Sequence, residues 1–237
     1  MPYLQFRFVV SPDAPLAAYK LVVAPSLNVL PKSTADHLLE YVRNGGSLVL
    51  GPRSAMKDEY NSLAPERQPG DLLAALQGRV EQYYALESDF PVSGKWGNGK
   101  VSVWAEQLKS LAPDAEVLMR YGKSNGWLDD QPAVISRAYG KGRITYIGAV
   151  LDDQLMSAAA DWMVQQSGVK QALGPLPDGV QVSRRVGGGK DTFVLINFTR
   201  EDRLVKLPRA MKQLMAGRVG DSMTLPPYGV ELLQTEK

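Results

Sequence analysis

Tyr19-Lys20-Leu21-Val22-Val23-Ala24-Pro25 and Ser47-Leu48-Val49-Leu50-Gly51-Pro52 are two short apolar runs, and the residues between them carry a helix pattern. An unbroken apolar run of this length reads as a strand buried on both faces of a parallel sheet. Ser33 or Thr34 can cap the intervening helix, and Ala35, Leu38, Leu39 and Val42 recur at the helical period. Asn44-Gly45-Gly46 stops it, because glycine enters the left-handed conformation of a closing turn without a Cβ clash. Strand, helix and strand within about thirty residues form a βαβ unit with a right-handed crossover. The fold class is therefore α/β.

Outward from this unit the pattern continues in both directions. Leu4 to Val10 reads as a strand, followed by turn chemistry at Ser11-Pro12-Asp13-Ala14-Pro15. Downstream, Asp71 to Gln77 suits a short helix, and Val101 to Ala105 and Glu116 to Tyr121 suit strands. Pro132 to Arg137 and Gly142 to Gly148 flank the hairpin signal Tyr139-Gly140-Lys141-Gly142. Asp153 to Gln166 is helical in pattern (Leu155, Ala158, Ala159, Trp162, Met163) and stops at Ser167-Gly168. These elements predict a three-layer α/β domain over residues 1–172. Leu173-Gly174-Pro175-Leu176-Pro177-Asp178-Gly179 then reads as a stiff linker. Short strands at Val180–Val186, Thr192–Phe198, Leu204–Leu207 and Gly229–Leu233 predict a small antiparallel β-sandwich over residues 173–237.

The 237 residues are 44% hydrophobic and 22% charged, enough to bury a real core. A net charge of +2 with interspersed signs gives no clustered basic face for nucleic acid. No apolar run approaches the ~20 residues of a membrane span, and no secretory signal opens the chain, so the expected location is cytoplasmic. With no cysteine, disulfides, thiolate metal sites and cysteine nucleophiles are excluded. One histidine, His37, excludes a His-based metal cage. No cofactor is expected.

The remaining constellations favour structural roles. No Gly-x-Ser-x-Gly pentapeptide offers a nucleophile at a strand-to-helix turn, and His37 lies within a helix pattern. Glycoside hydrolysis needs two carboxylates facing each other across a sugar. The adjacent pairs Asp58-Glu59, Asp129-Asp130 and Asp152-Asp153 are poor candidates, since neighbouring side chains diverge. Asp152-Asp153 precedes a helix and reads as an N-cap. Gly97-Asn98-Gly99-Lys100 and Gly187-Gly188-Gly189-Lys190 lack the hydroxyl residue of a phosphate loop and lead into strands. Trp162 belongs to its helix's apolar stripe and Trp104 to one face of a strand. Trp96 and Trp127, set among Gly, Asn and Ser, are the two able to reach a ligand or partner.

Several segments in order resemble the family 42 β-galactosidases. They are Tyr19–Leu27, Tyr41–Leu50, Arg53–Asn61, Pro132–Val134, Tyr139–Gly148 with the helix after Asp152, Leu195–Thr199 and Leu225–Val230. The resemblance covers nearly the whole chain. It implies a flavodoxin-like, class I glutamine amidotransferase-like domain that has lost cysteine chemistry and mediates homotrimer formation, followed by the family's terminal β-domain. The glutamates of such enzymes lie on a (β/α)₈ barrel with no counterpart in these residues, so no catalytic residue is carried over. The loop with Arg53, Lys57, Asp58 and Glu59 is the expected contact to a barrel or neighbouring subunit, because it follows a strand's C-terminal end. Two rival readings remain: a carbohydrate-binding accessory module using Trp96 or Trp127, and a separate enzyme on the same fold.

Overall fold

The computed structural model describes residues 14–124, 126–170 and 173–236; the strand expected at Leu4 to Val10 lies outside them. The chain divides into two compact units, with the division at Val169/Lys170.

The larger unit runs β1 (Leu21–Ala24), α1 (Lys32–Arg43), β2 (Ser47–Leu50), α2 (Leu73–Leu76), β3 (Gly78–Ala85), β4 (Phe90–Gly94), β5 (Gly97–Ser110), β6 (Glu116–Tyr121), β7 (Pro132–Tyr139), β8 (Gly142–Ile147), β9 (Ala149–Leu151) and α3 (Asp153–Ser167). Its nine strands make one mixed sheet in the order β1-β2-β8-β7-β6-β4-β5-β3, with β9 on β5. Among the described strands only β1, β2 and β8 are parallel, in the register Val22–Leu48–Ile144. The expected parallel sheet is thus confined to one end, and the rest is antiparallel.

Strand alternation sorts the core onto two faces. Leu48, Leu50, Ile135, Ile144 and Tyr146 pack with Ala35, Leu38, Tyr41 and Val42 of α1 and with Ala75 and Leu76 of α2. Val49, Val134 and Ile147 pack with Leu155, Ala159, Trp162 and Met163 of α3. Helices therefore cover both faces, as expected. β1 departs from its reading: Val23 is 49% exposed, because among the described residues β1 is an edge strand paired only with β2.

The helix ends follow the sequence in part. Asp152 caps α3, accepting from Leu155 N at 2.9 Å, and Gly168 closes it at φ +62°. α1 instead starts at Lys32 after Pro31, without a side-chain cap; Ser33 and Thr34 fall inside its first turn. The strands β3 and β4 went unread because β3 carries Arg79, Glu81 and Gln82 and β4 carries Pro91, Ser93 and Gly94, so neither runs apolar. β5 extends 14 residues through an irregularity at Val103 (φ +65°), where its pairing with β9 shifts between Ser102 and Ala105.

The smaller unit contains β10 (Val180–Gly187), β11 (Lys190–Asn197), β12 (Arg203–Gln213), β13 (Arg218–Leu225) and β14 (Val230–Glu236). All pairings are antiparallel, in one sheet ordered β10-β11-β14-β12-β13. Among the described residues, a single sheet stands where a β-sandwich was expected. A register shift between Lys206 and Met211 in β12 lets it pair along β13 while meeting β14 only at Lys212 and Gln213. The sheet encloses Val180, Phe193, Leu195, Val205, Met223 and Leu233. Asn197, within the Asn-Phe-Thr triplet, is fully buried. Its Nδ2 donates to the carbonyls of Glu201 (2.8 Å), Pro226 (2.8 Å) and Leu225 (3.2 Å), and its Oδ1 accepts from Thr199 N and Oγ1.

Removing the amide takes one partner from each of these groups; Pro226 O keeps Gly229 N and Glu201 O keeps Thr199 Oγ1, while Thr199 N loses its acceptor, and an orphaned buried group costs ~1–3 kcal/mol. Asn197→Ala is expected to destabilise the smaller unit by about 2–4 kcal/mol, measured by urea unfolding followed by circular dichroism.

Candidate functional site

The turn that leaves β2 is the most constrained backbone in the larger unit. Gly51 is required there, since a Cβ would come within 1.8 Å of the Pro25 carbonyl oxygen. Arg53 (φ +63°) and Ala55 (φ +55°) then occupy the left-handed region, which costs non-glycine residues of order 1–3 kcal/mol each. Buried Ser54 offsets this by donating to Gly51 O at 2.7 Å and accepting from Leu27 N at 3.1 Å. A strained turn after a strand is the device that hydrolases of this architecture use to present a nucleophile. Here the presented residue is an arginine, permanently protonated and unable to attack.

The turn is clamped from β5 by Glu106, a residue that sequence reading did not single out. Its side chain is fully buried. Oε1 accepts from Arg53 N at 2.8 Å and Trp104 Nε1 at 3.1 Å, and Oε2 accepts from Tyr146 Oη at 2.8 Å. Tyr121 Oη donates to the Glu106 carbonyl at 2.9 Å, and Glu106 N donates to Gly148 O at 2.6 Å. Burial pushes the Glu106 carboxyl above the ordinary glutamate range, while Arg53, Trp104, Tyr146 and Gln68 pull it back down. The Tyr146 hydroxyl is held well above its usual value by burial and by the Glu106 charge. The strand expected at Val101–Ala105 stops one residue short of Glu106, whereas β5 continues through it to Ser110.

Outside the clamp, Arg53 lays its guanidinium over the Trp104 ring, 5.2 Å from the centroid, and Tyr83 stacks on Trp104 at 5.2 Å and 15°. The other anticipated residues separate. Lys57 Nζ donates to Asn61 Oδ1 at 2.8 Å, and Asp58 Oδ1 accepts from Tyr60 N and Ser62 N, so both close their own loop. Glu59 is exposed. Trp127 is 64% exposed and stacks on Tyr84 at 5.9 Å. Trp96 is not available as a surface platform: it is 8% exposed and packs against Trp162 at 5.6 Å, drawn inward by the apolar core beneath the hairpin.

Two hollows open on the surface of the described residues. One of about 420 Å³ is lined by Arg79, Glu81, Gln107, Lys109, Ser110 and Gln131; another of about 310 Å³, in the smaller unit, includes Arg184, Asp191 and Phe193. Each holds a single carboxylate, and both are ion-paired: Glu81 with Arg79 at 2.8 Å and Asp191 with Arg184 at 2.6 Å. Neither provides the two facing acids of glycoside cleavage. Among the described residues no three His, Asp or Glu side chains converge as a metal site requires.

The parts gathered at Glu106 hold the turn after β2 and the strand β5 together. The chain belongs to the glycoside hydrolase family 42 β-galactosidases: the family model of the β-galactosidase trimerisation domain matches residues 7–170, and that of the β-galactosidase C-terminal domain matches residues 179–235. It is 33% identical to β-galactosidase Bga of Halorubrum lacusprofundi, over 95% of this chain and 35% of that protein. It is 31% identical to β-galactosidase BglY of Alicyclobacillus acidocaldarius, over 95% and 34%. The solved β-galactosidase of H. lacusprofundi superposes with a TM-score of 0.80 at 31% identity, covering 96% of this chain and 33% of that one. The cold-adapted β-galactosidase of Rahnella sp. R3 gives 0.87 at 25%, over 96% and 34%. The chain thus spans about a third of the length of the relatives it matches.

Removing the Glu106 carboxylate takes the acceptor from Arg53 N, Trp104 Nε1 and the buried Tyr146 hydroxyl. Glu106→Ala is expected to cost about 2–4 kcal/mol in urea unfolding. Because the folded carboxyl binds its proton more tightly than the unfolded one, its contribution is full below the unfolded glutamate pKa, about 4.3, and is lost as pH rises through the raised folded value. The unfolding free energy of the wild type relative to Glu106→Gln should therefore fall as pH rises from about 4 to 7; a flat or rising difference contradicts this.

Proposed function

We propose that this chain is the assembly portion of a β-galactosidase. It associates with copies of itself as a homotrimer, while bond cleavage belongs to a catalytic (β/α)₈ barrel supplied in cis or in trans. The observation that carries this reading is the match of two family regions, trimerisation and C-terminal, in order along one chain. The strained turn supports it, since the position suited to a nucleophile holds Arg53 locked to Glu106. We read the larger domain, residues 1–172, as a reduced amidotransferase-like and flavodoxin-like sheet. The parallel β1-β2-β8 core with helices on both faces favours that label. Residues 173–237 form the accessory β-domain. No helix among the described residues is long and apolar enough to cross a membrane, and the working location we assign is the cytoplasm.

The purified chain is expected to sediment as a trimer and to leave a nitrophenyl galactoside uncleaved. Turnover that persists through purification and disappears on replacing an acid of this chain would overturn the non-catalytic reading. A monomer at all concentrations would overturn self-association.

A further inference from the structure

The turn after β2 stands between Glu106 and water. Arg53 is exposed on its outer side, while the carboxylate that accepts from Arg53 N at 2.8 Å is fully buried. On the inner side the buried Tyr146 and Tyr121 close the enclosure from β8 and β6. The segment before α2 adds the buried Gln68, whose side chain bonds to the carboxyl and whose Nε2 also donates to Ser54 O at 3.4 Å. Of these walls the turn moves at least cost. Arg53 and Ala55 hold left-handed backbone there, and lifting the turn relieves that strain.

The enclosure holds a carboxylate without a cation. Its donors are a backbone N–H, an indole, a phenol and an amide, all neutral. Among the described residues no lysine or arginine side chain pairs with Glu106, and the Arg53 guanidinium lies over the Trp104 ring instead. Neutral donors offset the cost of burying a charge only in part, so a proton relieves the closed cluster. When the turn lifts, water reaches the carboxyl and solvates its charge. The closed turn therefore binds the proton more tightly than the open one, and by linkage opening becomes easier as the proton leaves. The other groups that face the carboxyl keep their charge state near neutral pH. Burial holds the Tyr146 and Tyr121 hydroxyls above their usual values, and an arginine is always a cation.

We propose that the turn at residues 51–55 is a proton-operated latch, closed most firmly while Glu106 carries a proton and opening more often once the proton has left. What it governs is the stack outside. Arg53 N and Trp104 Nε1 share Glu106 Oε1, so lifting the turn loosens both the indole and the guanidinium that rests on it. Every group of the latch lies within one larger unit, so the device operates with or without self-association.

The test is hydrogen exchange of the full chain, followed by NMR from about pH 4 to about pH 7. Corrected for the intrinsic rate, protection of the Arg53 amide is expected to fall roughly fivefold or more as pH rises. It should also lie at least about tenfold below that of Leu48 and Leu50 in β2, the mark of a local opening. Glu106→Gln has no proton to lose and should hold Arg53 protection level. Tyr146→Phe removes a donor from the charged carboxyl, so the fall should extend to higher pH. Wild-type protection that is flat or rises with pH, or that falls equally in Glu106→Gln, overturns the latch. So does protection equal to that of Leu48 and Leu50, which means that the turn opens only with the whole unit. If Glu106→Gln does not fold, an unshifted fall in Tyr146→Phe overturns it.

Discussion

The carboxylate of Glu106 is taken wholly out of water and accepts hydrogen bonds from the backbone of Arg53, the indole of Trp104 and the hydroxyl of Tyr146. Burying a charge costs several kcal/mol, and it persists only when donors surround it. Those donors come from the turn after β2, from β5 itself and from β8, so one side chain ties the parallel end of the sheet to its antiparallel end. The left-handed backbone at Arg53 and Ala55 depends on the same clamp, because strain survives only where the surroundings over-determine it.

This arrangement gives the parallel end of the sheet a rigid turn. In the parallel portion, strand ends and the turns that follow them converge, which is where enzymes of this architecture place reactive groups. Here that position carries a guanidinium stacked on a tryptophan and a carboxylate enclosed by donors. The chemistry available is recognition and rigidity. The family match, with its trimerisation and C-terminal regions, accords with that division of labour.

The legibility of the chain follows its physics residue by residue. The βαβ unit was readable because Leu48, Val49 and Leu50 are buried on both faces and therefore run apolar without interruption. Asp152 as an N-cap, Gly168 as a helix stop and the hairpin at Tyr139–Gly142 are local devices, whose geometry depends on a few neighbouring residues. β3 was missed because Glu81, Gln82, Tyr83 and Tyr84 sit on a half-covered edge, where alternation carries no strong apolar signal. Trp96 was misjudged for the converse reason: its Gly and Asn neighbours describe a turn, while its ring is claimed by Trp162, 66 positions away in the chain.

By itself the sequence determined the α/β class, the change to strands without helices after Leu173, the lack of thiol chemistry and the scarcity of imidazole, since these depend on composition and on contacts between near neighbours. Tertiary structure alone decided that the sheet is mixed, that Glu106 is enclosed, and that Arg53, Tyr83, Trp104 and Trp127 come together at one edge. Those outcomes depend on pairings between residues far apart in the chain, such as Arg53 with Glu106, 53 positions on, and Tyr83 with Glu106, 23 positions on, across β3 and β5. No periodicity within a single segment encodes which distant strand will lie beside it.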